Sequence, residues 1–384
     1  MKKSLLALAV LGAFTGVASA QSSVQLFGTL DVGGKYLKND GRSKQWSEQT
    51  DGINSSEIRF QGIEDLGGGL KAGFNLRSGI NPDTGTSNAK FWNRRATVSL
   101  YSNAGELRLG RDYVPTFWTT AIFDAFGYNG IGSTGNVQRV AQVRQDNSIG
   151  YFLPSNLGGF YGQLMMAAGE GGGSGDRGGK YYGGQFGFRA GPFDIAAAYS
   201  EMTPDLTIPG SVASGAPTLF AQQKIKTANI GGSFDFGFMK IMGYYDEDKV
   251  PNGKEKVASI SGSFPFGQSE VRVGYDVSKM DNNVGADTKL DNIKATYQYN
   301  LSKRTAMYGT VARLNNKDNT TVSLPGVFLG MTPTAGGDSK GFEVGIRHFF
   351  CSGARASERE SRLRGRLRAA FFMAGRTADT GNPF

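Results

Sequence analysis

The stretch VQLFGTLDVGGKY, residues 24–36, decides the fold class. Val24, Leu26, Leu30, Val32 and Tyr36 fall on one side of an extended chain, with Gln25, Thr29, Asp31 and Lys35 on the other. Successive side chains of a strand point to opposite faces, so one face of this segment meets apolar surroundings and the other meets water. The same rhythm returns in Leu70, Ala72, Phe74 and Leu76 against Lys71, Asn75 and Arg77, and in Val271, Val273, Tyr275 and Val277 against Arg272, Asp276 and Ser278. It closes with Phe342, Val344, Ile346, His348 and Phe350 against Glu343 and Arg347. Segments of about ten residues suit a tilted strand crossing a bilayer.

About sixteen such segments can be counted, the weakest at 161–168 and 224–234. Short turns such as Gly191-Pro192 and Ser302-Lys303-Arg304 alternate with long polar stretches near 38–54, 79–90, 112–145, 169–180, 201–223, 246–255, 279–289 and 315–340. One clipped rim and one elaborate rim describe an all-β, transmembrane, antiparallel up-and-down barrel in a single domain over residues 21–350. The 57 glycines and the 11% aromatic share fit it, since glycine serves tight turns and aromatic residues girdle the membrane interfaces.

The ends read differently from the body. Lys2 and Lys3, an apolar run from Leu5 to Val17, and Ala18-Ser19-Ala20 make residues 1–20 a secretory signal peptide, too short to span as a helix. After Phe350, residues 351–384 contain arginine but no lysine, break the alternation and carry the single cysteine, Cys351. They read as an anomalous, disordered extension of frameshift or read-through origin. The formal charge of +9 is concentrated at these ends. With the two leader lysines and the tail's seven arginines and three acids set aside, 33 basic residues face 30 acidic ones. Nucleic-acid binding thereby loses its compositional support.

Enzymatic readings fare no better. With one histidine, His348, on the apolar face of the last strand, no Ser-His-Asp constellation is credible. In GEGGGSGDRGGKYY (169–182) Ser174 stands where a phosphate loop needs its first glycine, and Tyr181 where it needs Ser or Thr. Asp281, Asp287 and Asp291 lack the glycine and terminal glutamate of a calcium loop. No cofactor, metal site or catalytic residue is expected.

Three motifs in order, EDLGGGLKAGFNL (64–76), YNLSKRTAMYGT (299–310) and GFEVGIRHFF (341–350), resemble the trimeric general porins of beta-proteobacteria, including anion-selective members. The resemblance runs from about Val24 to Phe350. It implies a sixteen-stranded barrel, a homotrimer in the outer membrane among lipid and lipopolysaccharide, and a third extracellular loop folded into the lumen as a constriction. It also makes Phe350 the terminal aromatic residue that serves as the barrel's assembly signal. The implied function is passive diffusion of ions and small hydrophilic solutes, with a substrate-specific or adhesive barrel as the alternative.

The stretch after LRLGRDY, roughly 112–145, matches the inward loop, and RQDNSIGY (144–151) matches the return into the wall. In such porins loop carboxylates face wall arginines. The candidates here are Asp112 and Asp124 on the loop, and Arg59, Arg77, Arg94, Arg95, Arg139 and Arg144. Neighbours in a strand face opposite ways, so one of Arg94 and Arg95 is expected in the pore; alignment favours Arg94 and hydrophobic parity favours Arg95. Permanent, weakly hydrated guanidinium charge suits anions, which points to mild anion selectivity from Arg59, Arg144 and one of that pair, with Asp124 opposite. Glu57, where the family often has a basic residue, would offset part of the field.

Overall fold

In β9, Phe193, Ile195, Ala197 and Tyr199 are exposed while Asp194, Ala196, Ala198 and Ser200 between them are buried (β9, Phe193–Thr203). A sheet whose apolar face is outside and whose polar face is hidden inverts a water-soluble protein, and it is the arrangement a bilayer requires. The computed structural model describes residues 23–138, 140, 142–169, 179–204, 224–251, 253–283, 287–324 and 332–351. The signal peptide, nearly all of the C-terminal extension and the glycine-rich stretch 170–178 thus lie outside the described residues.

Sixteen wall strands are present among the described residues. The first half of the wall comprises β1 (Ser23–Asn39), β2 (Gln45–Thr50 continued by Glu57–Gly67), β3 (Leu70–Asn81), β4 (Arg95–Ser102), β5 (Gly105–Tyr113), β6 (Arg144–Phe152), β7 (Phe160–Ala167) and β8 (Lys180–Ala190). After β9 follow β10 (Ile225–Asp235), β11 (Lys240–Val250), β12 (Gly253–Phe266), β13 (Ser269–Asn282), β14 (Thr288–Asn300), β15 (Thr305–Lys317) and β16 (Ser339–Phe350). A two-residue bridge at Thr86–Ser87 belongs to a loop. Each strand pairs antiparallel with its sequence neighbour, and β1 pairs β16 from Gly28↔Phe350 to Asn39↔Ser339, which closes the cylinder. Closure leaves no unpaired edge in the hydrocarbon. Among the described residues no helix is long and apolar enough to cross a membrane.

The segments of weakest alternation are strands all the same, β7 and β10. Stretches expected as loops are corrected, and residues 45–50, within the expected loop 38–54, form the first piece of β2. Residues 246–250 and 253–255 continue β11 and β12, and 279–282 and 288–289 continue β13 and β14. Their outward positions carry charge rather than apolar groups, so hydropathy reads them as loop although the ladder runs on.

Two local irregularities shape the interior. Between the two pieces of β2, residues 51–56 leave the wall: the backbone N–H groups of Ile53 and Asn54 donate to Asp31 Oδ2 (2.9 and 2.7 Å). In β5 the register shifts between Gly110 and Asp112, with Gly110 at φ +124°, a bulge that only glycine adopts readily.

Candidate pore-lining site

On β2, β3 and β4 three arginines occupy one row, Arg59 opposite Arg77 and Arg77 opposite Arg95. Directly opposed like charges repel, so such a row needs counter-ions. Glu57, two residues from Arg59 on the same face, supplies the first. It is ion-paired with Arg59, receives a fork from Arg77 (Nη2 to Oε1 2.6 Å, Nε to Oε2 3.0 Å), and lies 3.8 Å from Arg94 Nε. Asp112 supplies the second, accepting from Arg95 Nε (2.6 Å) and from Arg108 Nη1 (2.5 Å). Asp51, brought in by the excursion of β2, holds Arg94 Nη2 at 2.9 Å, and Glu106 holds Arg108 Nε at 2.8 Å. The Tyr113 ring sits among the cations, with the guanidinium carbons of Arg144, Arg95 and Arg77 at 4.5, 5.5 and 5.7 Å from its centre. Arg144 Nη2 also donates to its hydroxyl at 3.1 Å.

Six arginines thus meet four carboxylates. The side chains of Arg59, Arg77, Arg94 and Arg95 are 11–16% exposed and those of Glu57 and Asp112 1%, while Asp51 is 32% and Glu106 15% exposed. Glu57 and Asp112 lie behind the guanidinium groups, and Asp51 and Glu106 share the surface with them.

The sequence candidates divide as follows. Arg59, Arg77, Arg94, Arg95, Asp112 and Arg144 come together in this cluster. The choice between Arg94 and Arg95 does not arise, because β4 begins at Arg95 and strand alternation does not govern the residue before it. Asp124 lies elsewhere: it accepts from the backbone N–H of Phe126 (3.1 Å) and Tyr128 (3.4 Å), its side chain is buried, and its ionic neighbour is Lys294 at 3.8 Å. It is anchored through Lys294 on β14. Arg139 falls outside the described residues. Phe350 occupies the closing seam, its ring over Gly28, where a Cβ would come within 2.4 Å of it.

Sequence reasoning missed Arg108, Asp51, Tyr113 and Lys294. Arg108 was findable, since the exposed Leu107 and Leu109 flanking it fix its inward parity. Arg111, opposite Ala96 in register, is ion-paired with Asp146.

The facing wall is acidic and covered. Residues 114–140, including α1 (Pro115–Ile122, with proline in its first turn), deliver donors to its buried carboxylates. Ile131 N donates to Glu343 (3.1 Å), Val140 N to Glu255 (2.8 Å), Thr134 Oγ1 to Asp276 (3.2 Å) and Gln138 Nε2 to Asp246 (3.1 Å). Lys294 Nζ joins Asp276 and Thr134 Oγ1, both at 2.7 Å. The Tyr128 hydroxyl donates to Gln138, and burial pushes its pKa upward, so it stays neutral.

A closed antiparallel cylinder, apolar outside and lined by water-seeking groups, is a pore-forming outer-membrane barrel. The profile of the family described as Gram-negative porin matches residues 7–319. Outer membrane porin protein 32 of Delftia acidovorans is 37% identical over 366 residues, covering 91% of this chain and 100% of that one. The solved anion-selective porin from Comamonas acidovorans superposes with a TM-score of 0.75 at 34% identity, over 86% of this chain and 100% of the other. OmpT of Vibrio cholerae shares the fold, with a TM-score of 0.61 at 13% identity over 87% of this chain and 99% of the other. The chain belongs to the Gram-negative porin family: it is a multi-pass outer-membrane porin that forms a passive diffusion pore.

Proposed function

We propose that this porin passes small hydrophilic solutes with a preference for anions, that it works as a homotrimer without performing chemistry, and that the arginine cluster is its constriction. Arg59, Arg77, Arg94, Arg95, Arg108 and Arg144 form one side, and segment 114–140, folded into the lumen, narrows the bore from the other. The observation carrying this reading is the cluster's surplus of cations, six arginines against four carboxylates, with Glu57 and Asp112 almost fully buried behind them. Glu57 and Asp112 hold the arginines apart in fixed positions and lower the field without presenting a site to cations. A weakly hydrated guanidinium releases a passing anion easily, as conduction requires. The anion-selective relative supports the direction of preference and the trimeric form reported for OmpT of Vibrio cholerae supports the assembly. In the same reading residues 1–20 are removed on export and 351–384 take no part in the pore.

The test is the reversal potential of the purified protein in a planar bilayer under a salt gradient. An anion-preferring potential that collapses in the R59Q/R77Q variant is expected; a cation-preferring wild type overturns the reading. Conductance that saturates with one solute would instead mark a substrate-specific channel.

A further inference from the structure

Where the arginine cluster meets segment 114–140, the structure is aromatic. Tyr113, the last residue of β5, stacks on Phe117 with ring centres 5.4 Å apart and 20° between planes, and meets Trp118 at 5.3 Å. Phe117 in turn takes the edge of Tyr128 at 5.3 Å. Helix geometry turns two of these rings away from the wall. Thr116, Thr119 and Thr120, three and four residues apart, form the buried face of α1, where Gln185 of β8 donates to Thr119 Oγ1 (2.8 Å) and Asn229 of β10 to the Thr116 carbonyl (3.0 Å). Trp118, two residues and about 200° from Thr116, stands on the other side, and both it and Phe117 are partly exposed. A helix in a water-filled bore ordinarily shows water its polar face; this one shows it rings.

Arg144 completes the arrangement. Of the six arginines it is the one with no carboxylate partner among the described residues: its Nη2 donates to the Tyr113 hydroxyl (3.1 Å), and its buried Nε has no hydrogen-bond partner. Its guanidinium carbon lies 4.5 Å from the centre of the Tyr113 ring, whose neighbours are Phe117 and Trp118. A cation without a counter-ion of its own thus stands one ring away from two partly exposed aromatic side chains.

We infer that Arg144 and the rings of Phe117 and Trp118 form a subsite for small aromatic carboxylates on the path through the pore. The carboxylate takes the guanidinium donors, whose planar fork suits it, and the ring, held coplanar with its carboxylate by conjugation, lies against Trp118 or Phe117 in offset or edge-on contact. An aliphatic acid engages only the cation, and a neutral aromatic molecule only the rings. Ring contact of this kind adds a few-fold in affinity, so the acid lingers and still leaves, as a transport path requires. The inference rests on the reading that the arginine cluster lines the bore, and it adds a solute class that reading does not name.

The experiment titrates three probes against the chloride current of the purified protein in a planar bilayer at neutral pH. They are benzoate, cyclohexanecarboxylate, which has the same charge and a similar size but no π face, and uncharged benzamide. Benzoate should interrupt the current at a half-effect concentration at least about threefold below that of cyclohexanecarboxylate, with benzamide inert over the same range. Trp118→Leu should bring the two acids level, Trp118→Phe should preserve the order, and Arg144→Gln should raise the half-effect concentration of both acids at least about threefold. Because the two acids are compared in the same channel, a change of bore cancels. An anion-preferring wild type that treats both acids alike, or that benzamide blocks as well as benzoate does, overturns the subsite alone. So does a Trp118→Leu channel that keeps the wild-type ratio. A wild type without anion preference overturns instead the reading of the cluster on which the subsite rests. Should Trp118→Leu not assemble, the wild-type ratio and Trp118→Phe decide.

Discussion

Glu57→Gln is expected to make the pore more selective for anions. The carboxylate lies 2.6 Å behind Arg77 Nη2, and an anion touching the far side of that guanidinium comes to about 6 Å from it. One unit charge at about 6 Å in water-like dielectric is worth about 0.7 kcal/mol, or about threefold in anion permeability at low salt. Screening lowers this to about twofold at 0.1 M, where the Debye length is about 10 Å, and to almost nothing at 1 M, where it is about 3 Å. The assay is the reversal potential across a bilayer at a fixed concentration ratio, repeated at several absolute concentrations. Glutamine keeps a carbonyl acceptor for Arg77, and heat-modified electrophoretic migration shows whether the barrel has closed. A folded variant whose selectivity is unchanged at low salt, or moves toward cations, refutes the claim that Glu57 acts as a screened counter-ion behind the arginines.

Three further perturbations bear on the scaffold. Lys294→Gln removes the fully buried cation between Asp276 and Asp124, and unpairing buried charges costs about 3–5 kcal/mol. Segment 114–140 should loosen, with larger and noisier single-channel currents, and a steady wild-type trace would count against its anchoring role. Gly33→Ala places a Cβ 2.2 Å from the Val344 carbonyl oxygen on the closing seam. Overpacking of about 1–3 kcal/mol should lower the temperature of heat-modified migration, and an unshifted temperature would contradict the tight β1–β16 approach. Ending the chain at Phe350 should leave conductance unchanged, because the seam is complete at Gly28↔Phe350; loss of folding would give 351–384 a structural role.

The wall was legible because a bilayer outside and water inside write opposite polarities on alternate residues. Val24 to Tyr36 and Phe342 to Phe350 are read as strands from that contrast alone. The contrast vanishes above the hydrocarbon, where Lys249 or Lys279 points outward as readily as Asp248 or Ser278 points inward, so strand ends there look like loops. The arginine row was visible residue by residue, since parity aims Arg59, Arg77 and Arg95 the same way. Its counter-ions were harder to see. Asp51 arrives through a break in β2 that no periodicity announces, and Arg94 joins from a position just outside its strand. Asp124 shows the converse: an acidic residue in the right loop, turned onto backbone donors and Lys294 because the chain bends there. Pairings between residues distant in sequence depend on tertiary geometry, which spacing does not encode.

The backbone donors that segment 114–140 lays over Glu343, Glu255 and their neighbours matter beyond stability. Without that cover the cylinder would confront a traveller with carboxylates on one bank and guanidinium on the other, a nearly even contest. By sheathing one bank, a stretch with few charges of its own decides which bank is heard. On the proposed anion preference, the sign of the channel would be a property of this segment, and mutations that peel it away should tilt the pore toward cations with every arginine still in place.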